Sequence, residues 1–387
     1  MIINSLLDTD LYKLTMMQVI FHHFPESTVE YEFKCRTPNI DLFLYAAEIK
    51  KEIDRFCTLR FTQEELTYLK SLSFFKNDFI HLLDNFKLNS KHIIFNSTKP
   101  FGITIKGPWL QTILFEVPLL AIISEVYAHS QYPNCDYSIA KKRLAEKINL
   151  VKTNSLLENF LFSDFGTRRR FSFTWHEELI STLTKELPNN FCGTSNVFFA
   201  KKFNLNPIGT MAHEYIQGCQ ALSPSLRESQ KYALELWTKE YGHDLSIALS
   251  DTYSLKVFLK DFDSNLCKMF DGVRQDSGDP FNCGNLILDH YESMGVNPRT
   301  KKIVFSDGLT FPLAIRLYNY FKARTNPVFG IGTNITNDLE YAPIQIVIKM
   351  TECNGQPVAK ITDSPDKVTC KDPSYLAYLK KVFEMNS

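Results

Sequence analysis

Hydrophobic residues recur along the chain at several spacings, and each predicts a different kind of element. Val29, Tyr31 and Phe33 alternate with Glu30, Glu32 and Lys34, a period of two that predicts a strand over residues 27–35. Residues 5–24 carry the 3.6-residue period of an amphipathic helix whose start Asp8 and Asp10 mark. Helical spacing returns over residues 40–90, strand-like runs follow at 91–95 and 103–105, and a Gly107-Pro108 break precedes a long apolar helix over 109–130. From about Phe160 to residue 335 a third pattern takes over: a short apolar run, a tight polar cluster, then a helical stretch. The clearest unit is 302–328, where Ile303-Val304-Phe305 predicts a strand, Ser306-Asp307-Gly308 a turn, 312–324 a helix, and Pro327-Val328-Phe329-Gly330 the next strand. That is a βαβ crossover, hence parallel sheet. Leu245–Leu249 followed by Asp251 repeats the plan. Near the end, 344–350 and 357–361 flank Asn354-Gly355, a type I′ hairpin signal.

Repeated βα units predict an irregular, TIM-like α/β barrel over 131–339. The antiparallel hairpin after it and the strands before it imply a smaller α+β domain built from both chain ends, 1–130 completed by 340–387. In such a barrel the residues just past the strand ends converge on one site. The clusters in those places are Gly209-Thr210-Met211-Ala212-His213-Glu214, Ser250-Asp251-Thr252, Arg274-Gln275-Asp276-Ser277-Gly278-Asp279-Pro280, Ser306-Asp307-Gly308 and Gly330-Ile331-Gly332-Thr333-Asn334.

Charge narrows the reading. Lys+Arg and Asp+Glu both number 43 among 387 residues, so no global field attracts nucleic acid or an anionic membrane; any anion must be caught by local cations. The nine scattered cysteines contain no C-x-x-C, which predicts reduced thiols and a cytoplasmic protein. The start of the chain reads unlike a signal peptide. The apolar run Val117 to Ser124 is too short to cross a bilayer.

Several clusters carry chemistry. Phe165-Gly166-Thr167-Arg168-Arg169-Arg170-Phe171 sets three arginines among aromatic rings, which predicts at least one guanidinium over an apolar wall and suits an anion or a flat ring. His213 can act as base or covalent nucleophile; it lacks a second His at helical ligand spacing, so zinc is not expected. The Arg274–Asp279 turn could grip a phosphate through Arg274 and the Ser277 and Gly278 amides, and an Asp there could meet Mg²⁺. Asp251 and Asp307 fit helix caps equally well. Gly330-Ile331-Gly332 lacks the third glycine of a dinucleotide fingerprint, and no P-loop is present.

Taken in order, Thr9-Asp10-Leu11-Tyr12-Lys13-Leu14-Thr15-Met16, Phe33-Lys34-Cys35-Arg36, Gly107-Pro108-Trp109-Leu110-Gln111-Thr112, the three-arginine turn, Gly193-Thr194-Ser195-Asn196, the His213 cluster, DGVRQDSGDP, FGIGTN and Asp363-Ser364-Pro365 resemble the nicotinate phosphoribosyltransferase family over nearly the full length. The resemblance implies a type II phosphoribosyltransferase that joins nicotinate to phosphoribosyl pyrophosphate (PRPP), coupled to ATP hydrolysis, in NAD salvage. It implies a homodimer with shared sites and Mg²⁺ carried mainly by PRPP, near Asp251 and Asp276. By the same resemblance Tyr12, from the neighbouring subunit, and Phe165 sandwich the pyridine ring. Arg168, Arg274 and Ser195 meet nicotinate. Arg36, again from the neighbour, joins Ser277, Gly278, Asp307, Gly308, Gly332, Thr333 and Asn334 in holding PRPP. Asp251, Arg274 and Asp276 serve the chemistry, and ATP phosphorylates His213. Ser195 stands where related nicotinamide-specific enzymes carry Asp, which favours the acid over the amide. Two positions depart from the family pattern: Gln275 replaces a His common in bacterial relatives, and Asp366 replaces Gly.

Overall fold

The computed structural model describes residues 1–96, 98–364 and 367–385. Three strands precede the barrel: β1 (Thr28–Cys35), β2 (Ile93–Phe95) and β3 (Ile103–Pro108). The barrel strands are β4 (Leu161–Asp164), β5 (Phe191–Thr194), β6 (Asn206–Pro207), β7 (Ile247–Leu249), β8 (Gly272–Gln275), β9 (Lys302–Phe305) and β10 (Asn326–Ile331). Two more follow: β11 (Ile346–Cys353) and β12 (Gln356–Pro357).

Every pairing among β4–β10 is parallel, and β10 pairs with both β9 and β4, so the sheet returns on itself. The strand order β6-β5-β4-β10-β9-β8-β7 leaves one seam, between β6 and β7. There a side chain substitutes for the ladder: the Thr210 hydroxyl donates to the Ile247 carbonyl at 2.8 Å. The result is an irregular seven-stranded α/β barrel. Its strand positions read as near-continuous apolar runs because both faces are covered; Phe162, Ala248, Val273, Ile303, Phe305 and Phe329 are all fully buried.

Both ends of the chain meet in a second, antiparallel sheet of order β12-β11-β1-β3-β2. The β11–β12 turn places Asn354 and Gly355 at positive φ, as a type I′ turn requires. The second arm is shorter than its sequence predicts: only 356–357 pair with β11, and Lys360 instead bridges to Thr369. The strict in–out alternation expected of β1 also fails at Glu30, which is buried. β1 lies between β11 and β3, with a register irregularity at Glu30/Tyr31, and Glu30 is neutralised there by Lys106 at 2.7 Å and Lys371 at 2.6 Å.

The helix Leu11–His23 departs from its amphipathic reading. Its first ten residues are all buried, so it is a core element wedged between the two sheets' domains rather than a half-exposed one. Asp10 occupies its N-cap position but makes no side-chain cap. The long apolar segment divides into helices Trp109–Thr112 and Glu116–Gln131. By length and composition it could cross a membrane, but nearly all of it is buried inside the fold. All nine cysteines are free thiols.

Candidate active site

A cleft of about 440 Å³ opens at the carboxyl ends of the barrel strands. The loop after β4 contributes Phe165, Arg168 and Arg169, β8 and its turn Arg274 and Asp276, the loop after β9 Ser306 to Leu309, and the loop after β10 Gly332, Thr333 and Asn334. The antiparallel sheet closes the other side with Arg36 beyond β1, Lys349 on β11, and Lys360 and Lys367 further on. Seven cationic side chains (these four with Arg168, Arg169 and Arg274) therefore face three carboxylates, Asp276, Asp307 and Asp338. In a chain with no net charge, this is a site built for an anion.

The loop after β4 shows how the fold aims the cations. Asp164 Oδ1 accepts the Gly166 amide at 2.9 Å, while its Oδ2 takes His176 Nε2 at 2.7 Å and the Thr194 hydroxyl at 2.6 Å. Gly166 has no room for a side chain: a Cβ would lie 2.2 Å from Thr336. The tight turn Thr167–Arg169 then sends three arginines in different directions. Arg170 is fully buried, bidentate to Asp8 at 2.7 and 2.8 Å, with its guanidinium 5.1 Å from the centre of the Phe173 ring. Arg169 bonds the Gln345 side chain; burial, and then the cations of Arg168 and Arg36, pull it down to about 10. Arg168 has carboxylates only at a distance, Glu116 at 3.6 Å and Asp10 at 3.9 Å. Its donors remain available to the cleft. The Phe165 ring packs where a Cβ on Gly330 would stand, and the Arg274 guanidinium lies 5.7 Å from its centre.

A second group lies deeper. His213 Nε2 contacts Asp251 Oδ1 at 2.9 Å. Asp251 Oδ2 accepts the Ser277 hydroxyl at 2.7 Å and faces Lys360 Nζ at 3.1 Å. Arg274 donates through Nε to the Ser306 hydroxyl and through a terminal nitrogen to Asp276 Oδ1, both at 2.9 Å. Burial lowers His213 to about 4, with Lys360 adding to the effect and Asp251 opposing it. Burial works against the charge of Asp251, but His213, Lys360 and the hydrogen bonds hold that carboxyl well below its usual range. For Asp276 burial is likewise outweighed, chiefly by Arg274. At neutral pH this is a neutral imidazole between two ionised carboxylates.

His213, Asp251 and Asp276 bring their donor atoms within 4.8 Å of one another, yet they do not form a dedicated metal cage. His213 Nε2 and both Asp251 oxygens are committed, and Asp276 Oδ1 takes Arg274 and the Ser306 hydroxyl. Asp276 Oδ2, 3.9 Å from His213, is the carboxylate oxygen left over. One free oxygen suits Mg²⁺ delivered on a phosphate ligand, the usual way that ion is held.

The sequence-expected residues divide into three groups. Phe165, Arg168, Arg274, Asp276, Asp307, Gly308, Gly332, Thr333 and Asn334 line the cleft, with His213 and Asp251 just behind. Gly308 sits at φ +57°, and the Asn334 amide ties its loop to the Leu309 carbonyl at 2.8 Å. Tyr12 and Arg36 are also at the site, but from the same chain: Tyr12 lines a small chamber with Arg168 and His213, and Arg36 lines the cleft. The Leu11–His23 helix and the end of β1 both reach the mouth of this chain's barrel.

Ser195, Ser277 and Gly278 stand outside the cleft lining. The Ser195 hydroxyl donates to Asp10 Oδ1 at 2.7 Å, so it buttresses Asp10 and Tyr12 from behind. The Ser277 hydroxyl is spent on Asp251, and the Gly278 amide donates to Ser364 Oγ at 3.2 Å. Gln275, the departure from His, holds that turn by donating to the Ser277 carbonyl at 2.7 Å. Asp366 lies outside the described residues. Sequence reasoning missed Lys349, Lys360 and Lys367, single lysines in a strand-rich tail with no local signal. It also missed Lys13, Glu116 and Glu214, and it took Asp8 and Asp10 for helix markers.

Comparison with known proteins agrees with this geometry. The family model described as the nicotinate phosphoribosyltransferase (NAPRTase) family matches residues 160–387, and the one for its N-terminal domain matches 7–124. The chain is 54% identical to a nicotinate phosphoribosyltransferase of Ralstonia nicotianae, over 99% of both chains, and 56% identical to one of Burkholderia ambifaria, over 99% of this chain and 97% of that one. Among solved structures, nicotinate phosphoribosyltransferase from Vibrio cholerae superimposes with a TM-score of 0.96 at 40% identity, covering 100% of this chain and 94% of that one. The enzyme from Porphyromonas gingivalis gives 0.93 at 30% identity, over 99% and 100%.

Proposed function

The chain belongs to the nicotinate phosphoribosyltransferase family, and on that premise we propose that it converts nicotinate and PRPP to nicotinate mononucleotide and pyrophosphate, coupled to ATP hydrolysis through a phosphorylated His213, as a step of NAD salvage. The observation that carries the reading is the cleft's charge: seven cations against three carboxylates at a barrel mouth, beside the half-buried ring of Phe165.

The nicotinate nitrogen is nucleophilic as it stands, so no strong base is required. Its attack on C1 of the ribose forms the C–N bond as the C–O bond to pyrophosphate breaks. Arg168, whose guanidinium makes no hydrogen bond among the described residues and meets Glu116 and Asp10 only at 3.6 and 3.9 Å, is the one free to take the ring's carboxylate. The Phe165 and Tyr12 rings offer flat faces to the pyridine. Asp276, ionised and partly exposed, stabilises positive charge developing on the ribose. The loops 307–308 and 332–334 hold the 5′-phosphate, and Lys360, Lys367 and Arg36 the pyrophosphate side. Mg²⁺, when bound, supplies charge neutralisation on the leaving group, with Asp276 Oδ2 the protein oxygen that can meet it.

His213 suits phosphoryl transfer. A carboxylate can only accept, so the 2.9 Å contact assigns the ring proton to Nε2 and leaves the lone pair on Nδ1. Nδ1 attacks the terminal phosphorus of ATP, ADP departs, and Asp251 stabilises the positive charge left on the ring. The test is an assay with purified protein, PRPP, Mg²⁺ and either nicotinate or nicotinamide, with and without ATP, scoring mononucleotide and ADP. Nicotinate should be preferred and ATP should stimulate. His213→Asn should abolish ADP formation and ATP stimulation while leaving slow ATP-independent synthesis; full coupling in that variant would overturn the role of His213.

A further inference from the structure

Arg168 reaches the cleft with carboxylates beside it from two distant elements. Asp10 occupies the N-cap position of the helix Leu11–His23, and Glu116 is the first residue of the helix Glu116–Gln131, a place where the helix dipole favours an acid. Both acids are buried. Each has one oxygen anchored and the other near Arg168. The Ser195 hydroxyl holds Asp10 Oδ1 at 2.7 Å, and Asp10 Oδ2 stands 3.9 Å from Arg168 Nε. Lys13 holds Glu116 Oε2 at 2.6 Å, and Glu116 Oε1 stands 3.6 Å from a terminal nitrogen of Arg168. Lys13 is fully buried and is itself fixed by Glu214 Oε2 at 2.6 Å, so Glu116 has a firm anchor. The two separations from Arg168 attract, but they exceed hydrogen-bond length. Glu116 borders the small chamber that Tyr12 and His213 line and is absent from the lining of the cleft, whereas Arg168 borders both.

We propose that Glu116 is a positioning residue for the acid substrate: together with Asp10 it orients the Arg168 guanidinium so that its donors meet the carboxylate of nicotinate, and it thereby favours the acid over the amide. The role rests on the nicotinate reading above and on Arg168 as the group that takes the ring's carboxylate. Attraction at two different nitrogens fixes the orientation of a planar guanidinium without consuming its hydrogen bonds. A carboxylate brings such a group acceptors only, while an amide also brings an N–H₂ that opposes its N–H groups. Of the two acids Glu116 is the firmer charge. Burial resists its ionisation, but Lys13 and then Arg168 hold its carboxyl down to about 2. Burial pushes Asp10 up, against the pull of Arg168 and the Ser195 hydroxyl.

Glu116→Gln tests this, because it keeps the shape of the side chain and changes what faces Arg168. Lys13 can only donate, so the new amide keeps its oxygen toward Lys13 and turns its N–H₂ toward Arg168. Steady-state kinetics of the full-length enzyme, with PRPP and either nicotinate or nicotinamide, should show the KM for nicotinate raised roughly tenfold, with kcat and the KM for PRPP within about twofold. The preference for nicotinate over nicotinamide should fall by the same factor. A pure charge effect runs the other way, since removing a negative charge near an anionic substrate lowers its KM. An unchanged or lowered KM therefore overturns the proposal. In an Arg168→Met background, Glu116→Gln should alter the KM by less than about twofold; a further rise of roughly tenfold would show that Glu116 does not act through Arg168, and overturns the proposal too. Should Glu116→Gln fold poorly, Asp10→Asn makes the same exchange at Nε without touching Lys13. Its KM for nicotinate should rise roughly threefold with the KM for PRPP unchanged, and no rise overturns the aiming of Arg168 by carboxylates. If the unmodified protein makes no mononucleotide from nicotinate, the nicotinate reading and the proposal fall together, and that outcome is told apart because it precedes any comparison of variants.

Discussion

Arg168 and Arg170 sit two residues apart in one tight turn and do opposite work. Arg170 is fully buried and bidentate to Asp8, which also accepts from the Asn196 amide at 2.7 Å. Arg168 reaches the cleft and finds carboxylates only at 3.6 and 3.9 Å. The contrast extends to the layers they belong to. Beneath the site, Asp8–Arg170 and Ser195–Asp10 are pairs that join the start of the chain to the loops after β4 and β5, and Asp164–His176 ties the end of β4 to the helix Phe173–Glu186 that follows it. At the surface of the cleft, cations outnumber acids. A guanidinium whose two terminal nitrogens are locked bidentate on a buried carboxylate holds the fold; one without such a partner awaits a ligand.

The comparison breaks most visibly at its buried end. Arg170→Met leaves Asp8 as an uncompensated buried charge and should cost about 3–5 kcal/mol of stability, read by chemical denaturation; Asp8→Leu combined with Arg170→Met should recover part of that. A loss below about 1 kcal/mol would show that the pair is not the strut described.

Next in size is a pH effect from His213. Its pKa falls from an ordinary 6.5 to about 4 on folding, so the unfolded chain binds more protons between those values. The stability linked to this group is therefore present above about pH 6.5 and lost as pH falls toward 4, by up to roughly 3 kcal/mol. Glu125, which burial raises to about 7, acts in the opposite sense, so the clean measurement is a difference: the acid-side slope of stability should be shallower in His213→Asn than in the unmodified protein.

At the open end of the comparison, Arg168→Met should leave stability within about 0.5 kcal/mol but raise the KM for nicotinate roughly 100-fold, the worth of a bidentate charged hydrogen bond of about 2.7 kcal/mol. Equal losses of stability for Arg168→Met and Arg170→Met would erase the distinction. The smallest effect belongs to Ser195→Ala. It removes one hydrogen bond to Asp10, worth about 1 kcal/mol, and should shift the KM for nicotinate a few-fold with kcat little changed. Ser195→Asp would set a second carboxylate against buried Asp10, so any change of substrate preference in that variant must be read beside its stability.

Much of this was legible in the residues alone. The βα units around Ser306-Asp307-Gly308 and Gly330–Asn334 announced a barrel and its mouth, because strand, turn and helix each leave a local period. His213, Arg274 and Asp276 stood out because they sit in those turns. Other features were illegible for physical reasons. Lys360 meets Asp251 only because the segment after the hairpin folds back over the barrel; 109 positions separate them, and no local pattern encodes that contact. Asp8 and Asp10 looked like helix markers because acids favour that place, but Arg170 and Ser195, far along the chain, claim them instead.

By itself, then, the sequence determined the element types, the barrel, the family and the loops that carry the chemistry, since these follow from local spacing and residue type. Only the tertiary structure decided which arginine is strut and which is free, that Ser195 is spent on Asp10, and that Lys360 reaches Asp251. Those outcomes depend on which distant groups satisfy one another's charge and hydrogen bonds, and that is settled only when the chain closes on itself.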